Sequence, residues 1–181
     1  MASNVAKLLG AGFTPPGQIF KELILVAAEA DGRVRLAHAE NNDEDTLKSF
    51  ADSQIAPDTH VVTDGLASYN SGSLGERPHQ AIVQTKAERR ESDALKGCHW
   101  TTSLLKRWLL GTHAGAVRPK HLQAYLDEFT FRHNRRKTNG VGRIAARLIE
   151  QLVARGPLTM RKLIDQTPRC RWFASYQYAR T

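Results

Sequence analysis

A carboxylate, an imidazole and an ammonium group stand where a site could use them in this 181-residue chain. Asp64 follows His60–Thr63 (HVVT), a short apolar run that predicts a buried strand. The C-terminal end of such a strand is where open α/β sheets place their chemistry. His99, Ser103 and Lys106 recur at i, i+4 and i+7 within HWTTSLLKRWLLGTH, His99 to His113, so they share one face of a predicted helix. Each has a plain alternative. Asp64-Gly65 is a common turn pair, and His99 can be the partly exposed histidine of an ordinary amphipathic helix. A third group, Arg135-Arg136-Lys137, is a cationic run suited to a polyanion.

These residues need elements to hold them. In the His99 helix, predicted over residues 98–110, Trp100, Leu104 and Trp108 fall at i, i+4 and i+8, with Leu105 and Leu109 widening the stripe. Trp100 and Trp108 therefore read as core, and Gly111 reads as the C′ residue that stops the helix. Upstream, the apolar run Glu22–Ala30 and the alternating Arg33–Ala39 flank Asp31-Gly32, which predicts a β-hairpin with a type I′ turn. Asn42 or Asp43 can cap a helix from Glu44 to about Gln54, with Leu47 and Phe50 facing inward. Gln80–Thr85 predicts a further strand. Lys86–Lys96 is highly charged and lacks an apolar stripe, which predicts a loop. Pro119 suits the first turn of a helix reaching Asn134, with Leu122, Tyr125, Leu126 and Phe129 on one side. Helices are also expected over Ile144–Arg155 and Leu158–Ile164. Residues 1–20 show no clear pattern beyond a short helix near Val5–Leu9, and Thr14-Pro15-Pro16-Gly17 is a breaker cluster.

Composition narrows the partners. An apolar fraction of 41% suffices for a core, and no run of 18 apolar residues exists to span a membrane. The start has no charged region followed by a long apolar one, as a signal peptide would. Two distant cysteines, Cys98 and Cys170, suggest free thiols in a reducing, cytoplasmic compartment, and neither has the spacing of a zinc site. The net charge of +8 is uneven: residues 1–85 hold 6 Lys/Arg against 11 Asp/Glu, and residues 86–181 hold 20 against 7. Such a basic half implies a polyanion, with nucleic acid the commonest; a solvated basic surface is the alternative. At the end of the chain, Trp172, Tyr176 and Tyr178 interleave with Arg169, Arg171 and Arg180, a pattern suited to single strands.

The order of elements, and VVTDGLASYN (Val61–Asn70), HWTTSLLKRWLLGTH and RPKHLQAYLDEFTFRHNRR (Arg118–Arg136), resemble bacterial insertion-sequence DDE-type transposases. The resemblance spans roughly Glu22 to Arg136. It implies an α/β, ribonuclease-H-like mixed sheet flanked by helices, with a helical C-terminal extension. The expected division is an unrelated or disordered N-terminus over 1–20, a catalytic-core-like domain over 21–137 and a helical basic tail over 138–181. The family's pattern is Asp, Asp, then Glu, Asn or His, with Lys seven residues later. Asp64 matches the second Asp, His99 stands 35 positions on in the third place, and Lys106 follows by seven. The resemblance implies that Asp64 and His99 ligate Mg²⁺ or Mn²⁺ and that Lys106 meets a DNA phosphate, with Lys96, Arg107, Arg135, Arg136 and Lys137 as further DNA contacts. It also implies duplex DNA at transposon ends as partner, self-association, no membrane, and a bacterial, nucleoid-associated location. The function implied is DNA transposition by metal-assisted strand cleavage and transfer.

One departure stands out. The family's first catalytic Asp lies on a strand ahead of the hairpin, and residues 1–20 contain no Asp or Glu. Asp31 belongs at the hairpin tip, at the far end from Asp64, and Glu22 is a remote substitute. The expectation is an N-terminally truncated copy whose first strand is missing and whose activity is impaired. The alternative is a non-catalytic basic DNA-binding remnant.

Overall fold

The computed structural model describes residues 5–13, 22–30, 32–69, 71–114, 117–157 and 159–161. Its centre is a strand that the sequence did not announce. Val5–Phe13 forms β1, antiparallel to β2 (Glu22–Glu29) on one side and parallel to β4 (His60–Thr63) on the other. The strand implied by the resemblance is therefore present over residues 5–13, which corrects the expectation of a missing first strand and of a short helix near Val5–Leu9. VAKLLGAGF carries two glycines and no clean alternation, so propensity alone gave no strand; hydrogen bonding to partners on both edges supplies it. The breaker cluster at 14–17 lies outside the described residues.

With β3 (Val34–Ala39) and β5 (His79–Ala81) the mixed sheet runs β3-β2-β1-β4-β5. β2 reads as nearly continuous apolar sequence because both its faces are covered. Ile24, Val26 and Ala28 join Val34 and Leu36 in a core beneath α4 (Lys96–His113) and α5 (Pro119–Asn134). Leu25 and Ala27 join Ala6, Ala37 and Val61 beneath α1 (Glu44–Gln54). The hairpin is formed, but residues 30–33 connect its strands, longer than a two-residue turn, and Asp31 lies outside the described residues. β5 covers 79–81 rather than 80–85.

The helix ends follow local chemistry. Asp43 caps α1, its carboxylate accepting from the Thr46 amide at 2.9 Å. The carbonyls at the other end of α1 meet a buried guanidinium: Arg77 donates to Ala51, Ile55 and Leu74 carbonyls and pairs with Asp52 at 2.9 Å. α5 begins at Pro119 as expected, and it covers the exposed edge of β3. Asn134 both donates to and accepts from the Val34 backbone, and Gln123 accepts from the His38 amide. Pairing of this kind blunts a free edge. α4 does not stop at Gly111; it runs to His113, with Ala114 in the left-handed conformation (φ 49°) as its cap. Lys86–Glu91, expected as loop, is helix α3, closed by a reciprocal capping box between Thr85 and Glu88. A short α2 spans Ser71–Leu74, and α6 spans Val141–Val153 instead of 144–155. The helix expected over 158–164 and the aromatic-rich end fall largely or wholly outside the described residues. Among those residues, no helix is long and apolar enough to cross a membrane.

Candidate functional site

Asp64 leaves β4 into a turn that only glycine completes. Gly65 has φ +78°, and a Cβ there would lie 2.6 Å from a Val83 methyl. The turn is tied back to Thr63, whose hydroxyl accepts from the Gly65 amide and bonds His79 at 2.9 Å. Asp64 is half-buried, and its Oδ1 is fully shielded with no hydrogen-bond partner among the described residues. A carboxylate oxygen held in that condition is costly unless something outside the described residues satisfies it.

Beside β4 runs β1, with Lys7 level with Val62 and Leu8 level with Thr63. Alternation puts Lys7 opposite in facing to Ala6, which lies in the α1 core, so Lys7 belongs to the α4 side. α4 reaches this point closely because of Gly97: a Cβ there would sit 3.2 Å from the Ala28 methyl. The next residue, Cys98, is buried and its Sγ donates to the Lys7 carbonyl at 3.0 Å. Burial pushes the Cys98 thiol up to about 12; Lys7 acts against that shift, while Asp93 and Asp64 add to it. The thiol thus senses Asp64 from the strand side and Asp93 from the loop ahead of α4.

His99 stands next on the helix, half-buried. Its Nδ1 donates to Asp93 Oδ2 at 2.8 Å, and Asp93 Oδ1 accepts from the Leu95 amide at 2.9 Å. A carboxylate can only accept, so this contact fixes the proton on Nδ1 and leaves Nε2 free. Asp93 does not stand out in the sequence, because it falls in a highly charged segment without an apolar stripe. The available signal was an Asp just ahead of a helix start and six positions before the histidine. Among the described residues, no hydrogen bond or ion pair joins Asp64 to His99, and no three His, Cys, Asp or Glu side chains gather as a metal-binding group.

Lys106 lies two turns beyond His99 and is exposed, as are Lys96 and Arg107. Arg135 and Arg136 are used locally: Arg135 stacks over the Phe131 ring at 3.9 Å, and Arg136 donates to the Gly32 and His133 carbonyls. That places the run beside the hairpin connection, at the opposite end of the sheet from Asp64; Lys137 is exposed. Glu22 pairs in register with Phe13, and its carboxylate accepts from His38 Nε2 at 2.7 Å. Trp100 is not core. It is 62% exposed, while Cys98, Thr101, Leu105 and Leu109 take the buried face of α4. Trp108 does pack inward, 5.8 Å from the Phe129 ring and 5.0 Å from His113.

The arrangement has known counterparts. The catalytic core domain of BIV integrase matches over 84% of this chain and 98% of its own, with a TM-score of 0.54 and 14% identity. A chain of the simian T-cell lymphotropic virus intasome in complex with PP2A regulatory subunit B56 gamma matches over 73% of this chain and 48% of its own, with a TM-score of 0.56 and 12% identity. At such identities the likeness establishes the fold, a ribonuclease-H-like mixed sheet flanked by helices. No curated protein matches by sequence. The profile of the ISXO2-like transposase domain matches residues 16–134, from just after β1 to the end of α5. With that match over most of its length, the chain belongs to the ISXO2-like transposase domain family.

Proposed function

We propose that this domain binds the duplex ends of an insertion sequence and that its own capacity to cut and join DNA is impaired. The single observation behind the impairment is β1. The strand that lies against β4 carries no carboxylate along VAKLLGAGF, and on the α4 side, level with Val62, it presents Lys7. Lys7 thus puts an ammonium group, and no carboxylate, on the strand next to the one that ends at Asp64.

Mg²⁺ or Mn²⁺ is the cofactor the family implies. Two-ion phosphoryl transfer needs several anionic oxygens to offset the ions' hydration and mutual repulsion. The unpartnered Oδ1 of Asp64 suits one such ion. His99 adds no negative charge, and both oxygens of Asp93 are already engaged. The donor set falls short of a two-ion centre. Loss of that assembly costs several kcal/mol of barrier and several powers of ten in rate. The second reading, a DNA-binding remnant with no chemistry at all, is the limit of the same argument.

The basic half of the chain supports the binding reading, with Lys96, Lys106, Arg107 and Lys137 exposed. Neutralising Arg135, Arg136 and Lys137 together is expected to lower the slope of log K against log salt by about 2.7 if all three meet phosphates. An unchanged slope removes that run from the footprint. For chemistry, the assay is cleavage and strand joining on the element's terminal DNA with Mg²⁺ or Mn²⁺. Little or no turnover is expected. Robust turnover that Asp64→Asn abolishes overturns the impairment, and a gain of turnover in Lys7→Asp identifies its cause.

A further inference from the structure

α3 is six residues long, and its charges are sorted by side. Lys86, Arg89 and Arg90 fall at i, i+3 and i+4, on one face, while Glu88 and Glu91 lie on the other. Glu88 is occupied in the capping box with Thr85. Among the described residues, no ion pair neutralises Lys86, Arg89 or Arg90. The cationic face is exposed, and with Asp93 and His99 it lines an open surface depression of about 380 Å³.

We propose that this depression is a subsite for a phosphodiester of the DNA backbone, gripped by Lys86, Arg89 and Arg90, with the His99 ring forming its α4 wall. The proposal rests on the DNA-binding reading above and adds a location to it. Three cations that form no ion pair among the described residues, one of them, Arg89, also donating to the Gln84 carbonyl at 3.2 Å, favour a compact anion, and guanidinium forks match phosphate oxygens in geometry. Asp93 acts through His99 and not on the ligand. One of its oxygens is pinned by the Leu95 amide, and the other accepts from Nδ1–H, which fixes the plane of the ring and leaves Nε2 as an acceptor that makes no direct bond to a phosphate oxygen. Asp93 is thus a positioning residue. The family resemblance gave a role to His99 and none to Asp93 or to α3, which the sequence presented as loop.

The test uses the whole chain, a fluorescein-labelled duplex of arbitrary sequence, and the dinucleotide dTpdT as a bare phosphodiester. The Lys86→Gln/Arg89→Gln/Arg90→Gln variant is expected to lower the salt slope of duplex binding by about 2.7, while Glu91→Gln, on the opposite face, leaves it unchanged. By NMR, dTpdT is expected to shift the His99 Nε2 and the Arg89 and Arg90 Nε resonances in the parent chain and not in the triple variant. Asp93→Ala is expected to move His99 from the Nδ1–H to the Nε2–H tautomer, and Asp93→Glu to restore it. Tight duplex binding with an unchanged slope in the triple variant overturns the subsite and leaves DNA binding standing. If the parent chain binds no duplex, the DNA reading fails, and the dinucleotide titration then decides the depression alone: shifts confined to α3 and His99 uphold it, and none overturns it. A parent chain with His99 in the Nε2–H form overturns the role of Asp93.

Discussion

α4 and α6 are both amphipathic, and the better-patterned of the two is the one left uncovered. α6 repeats Val141, Ile144, Leu148, Ile149, Leu152 and Val153 at helical spacing, a cleaner stripe than any in α4. Yet Val141, Leu148, Ile149, Leu152 and Val153 are 46–83% exposed. α4, with a less regular pattern, buries Leu105 and Leu109 almost completely. The difference lies in what each helix meets. Gly97 admits α4 to contact distance with Ala28, and Cys98 reaches the backbone of β1 and β2. Periodicity reports that a face can be buried; position in the sheet decides whether it is.

The comparison can be broken most sharply with thiols. Cys98 lies on the buried face of α4, with its pKa pushed to about 12. In a Cys170→Ser background, Cys98 should react with a soluble thiol reagent at pH 8 about a thousandfold more slowly than an ordinary cysteine, because the thiolate is scarce and shielded. Leu152→Cys, placed on α6 in a chain that also carries Cys98→Ser and Cys170→Ser, should react at close to the solvent rate. Equal rates at the two positions would mean that α4 opens freely or that α6 is covered.

Stability gives the next contrast. Leu109→Ala is expected to cost about 2–5 kcal/mol in urea unfolding, the usual range for truncating a buried leucine. Leu152→Ala is expected to stay within about 0.5 kcal/mol of the parent, as exposed substitutions do. A large loss at Leu152 would show that α6 has a partner in solution. Within α4, Trp108→Ala should cost about 2 kcal/mol or more, since it packs on Phe129, and Trp100→Ala should cost about 0.5 kcal/mol or less. The reverse order would rotate the helix back to the face that the sequence suggests.

That rotation shows where sequence reading succeeded and where it lost its signal. α1, β4 and α5 were legible because strong local devices mark their ends: the Asp43 cap, the Asp64-Gly65 turn, and Pro119 in the first turn. The paired strands around Gly32 were legible from their apolar patterning. β1 was not, because its apolar content is diluted by glycine and one of its two pairings, to β4, is far away in sequence. Trp100 misled because size and spacing were weighed above facing; the small Cys98 and Thr101 allow close approach to the sheet, and the large ring turns outward. At the site, Asp64 and His99 could be picked by position in their elements. Asp93 could not, because its role depends on two contacts made by the fold, to the Leu95 amide and the His99 ring. The cationic face of α3 was hidden by the same charged segment.

The smallest effect probes the link between α6 and the body. Asp127, on α5, has its carboxyl pushed above its ordinary value of 3.8, chiefly by burial, with the Gln123 hydrogen bond and the charge of Arg155, just past α6, acting in the opposite direction. The unfolded chain releases this proton near the ordinary value, while the folded chain keeps it to higher pH. Between those two points the folded state binds more protons, so stability falls as pH rises; above the folded pKa the penalty is constant. Asp127→Asn removes the titration and keeps an acceptor for Gln123. The variant should therefore be more stable than the parent at pH 7, and the difference should shrink as pH falls through the folded value and be gone by about pH 4. Arg155→Gln removes a charge that favours the ionised carboxylate, so it should widen the pH 7 difference between parent and Asp127→Asn. Unfolding by urea across this pH range reads both effects. A difference that Arg155→Gln leaves unchanged would mean that the segment after α6 does not stay near α5 in solution, and α6 would then be untethered as well as exposed.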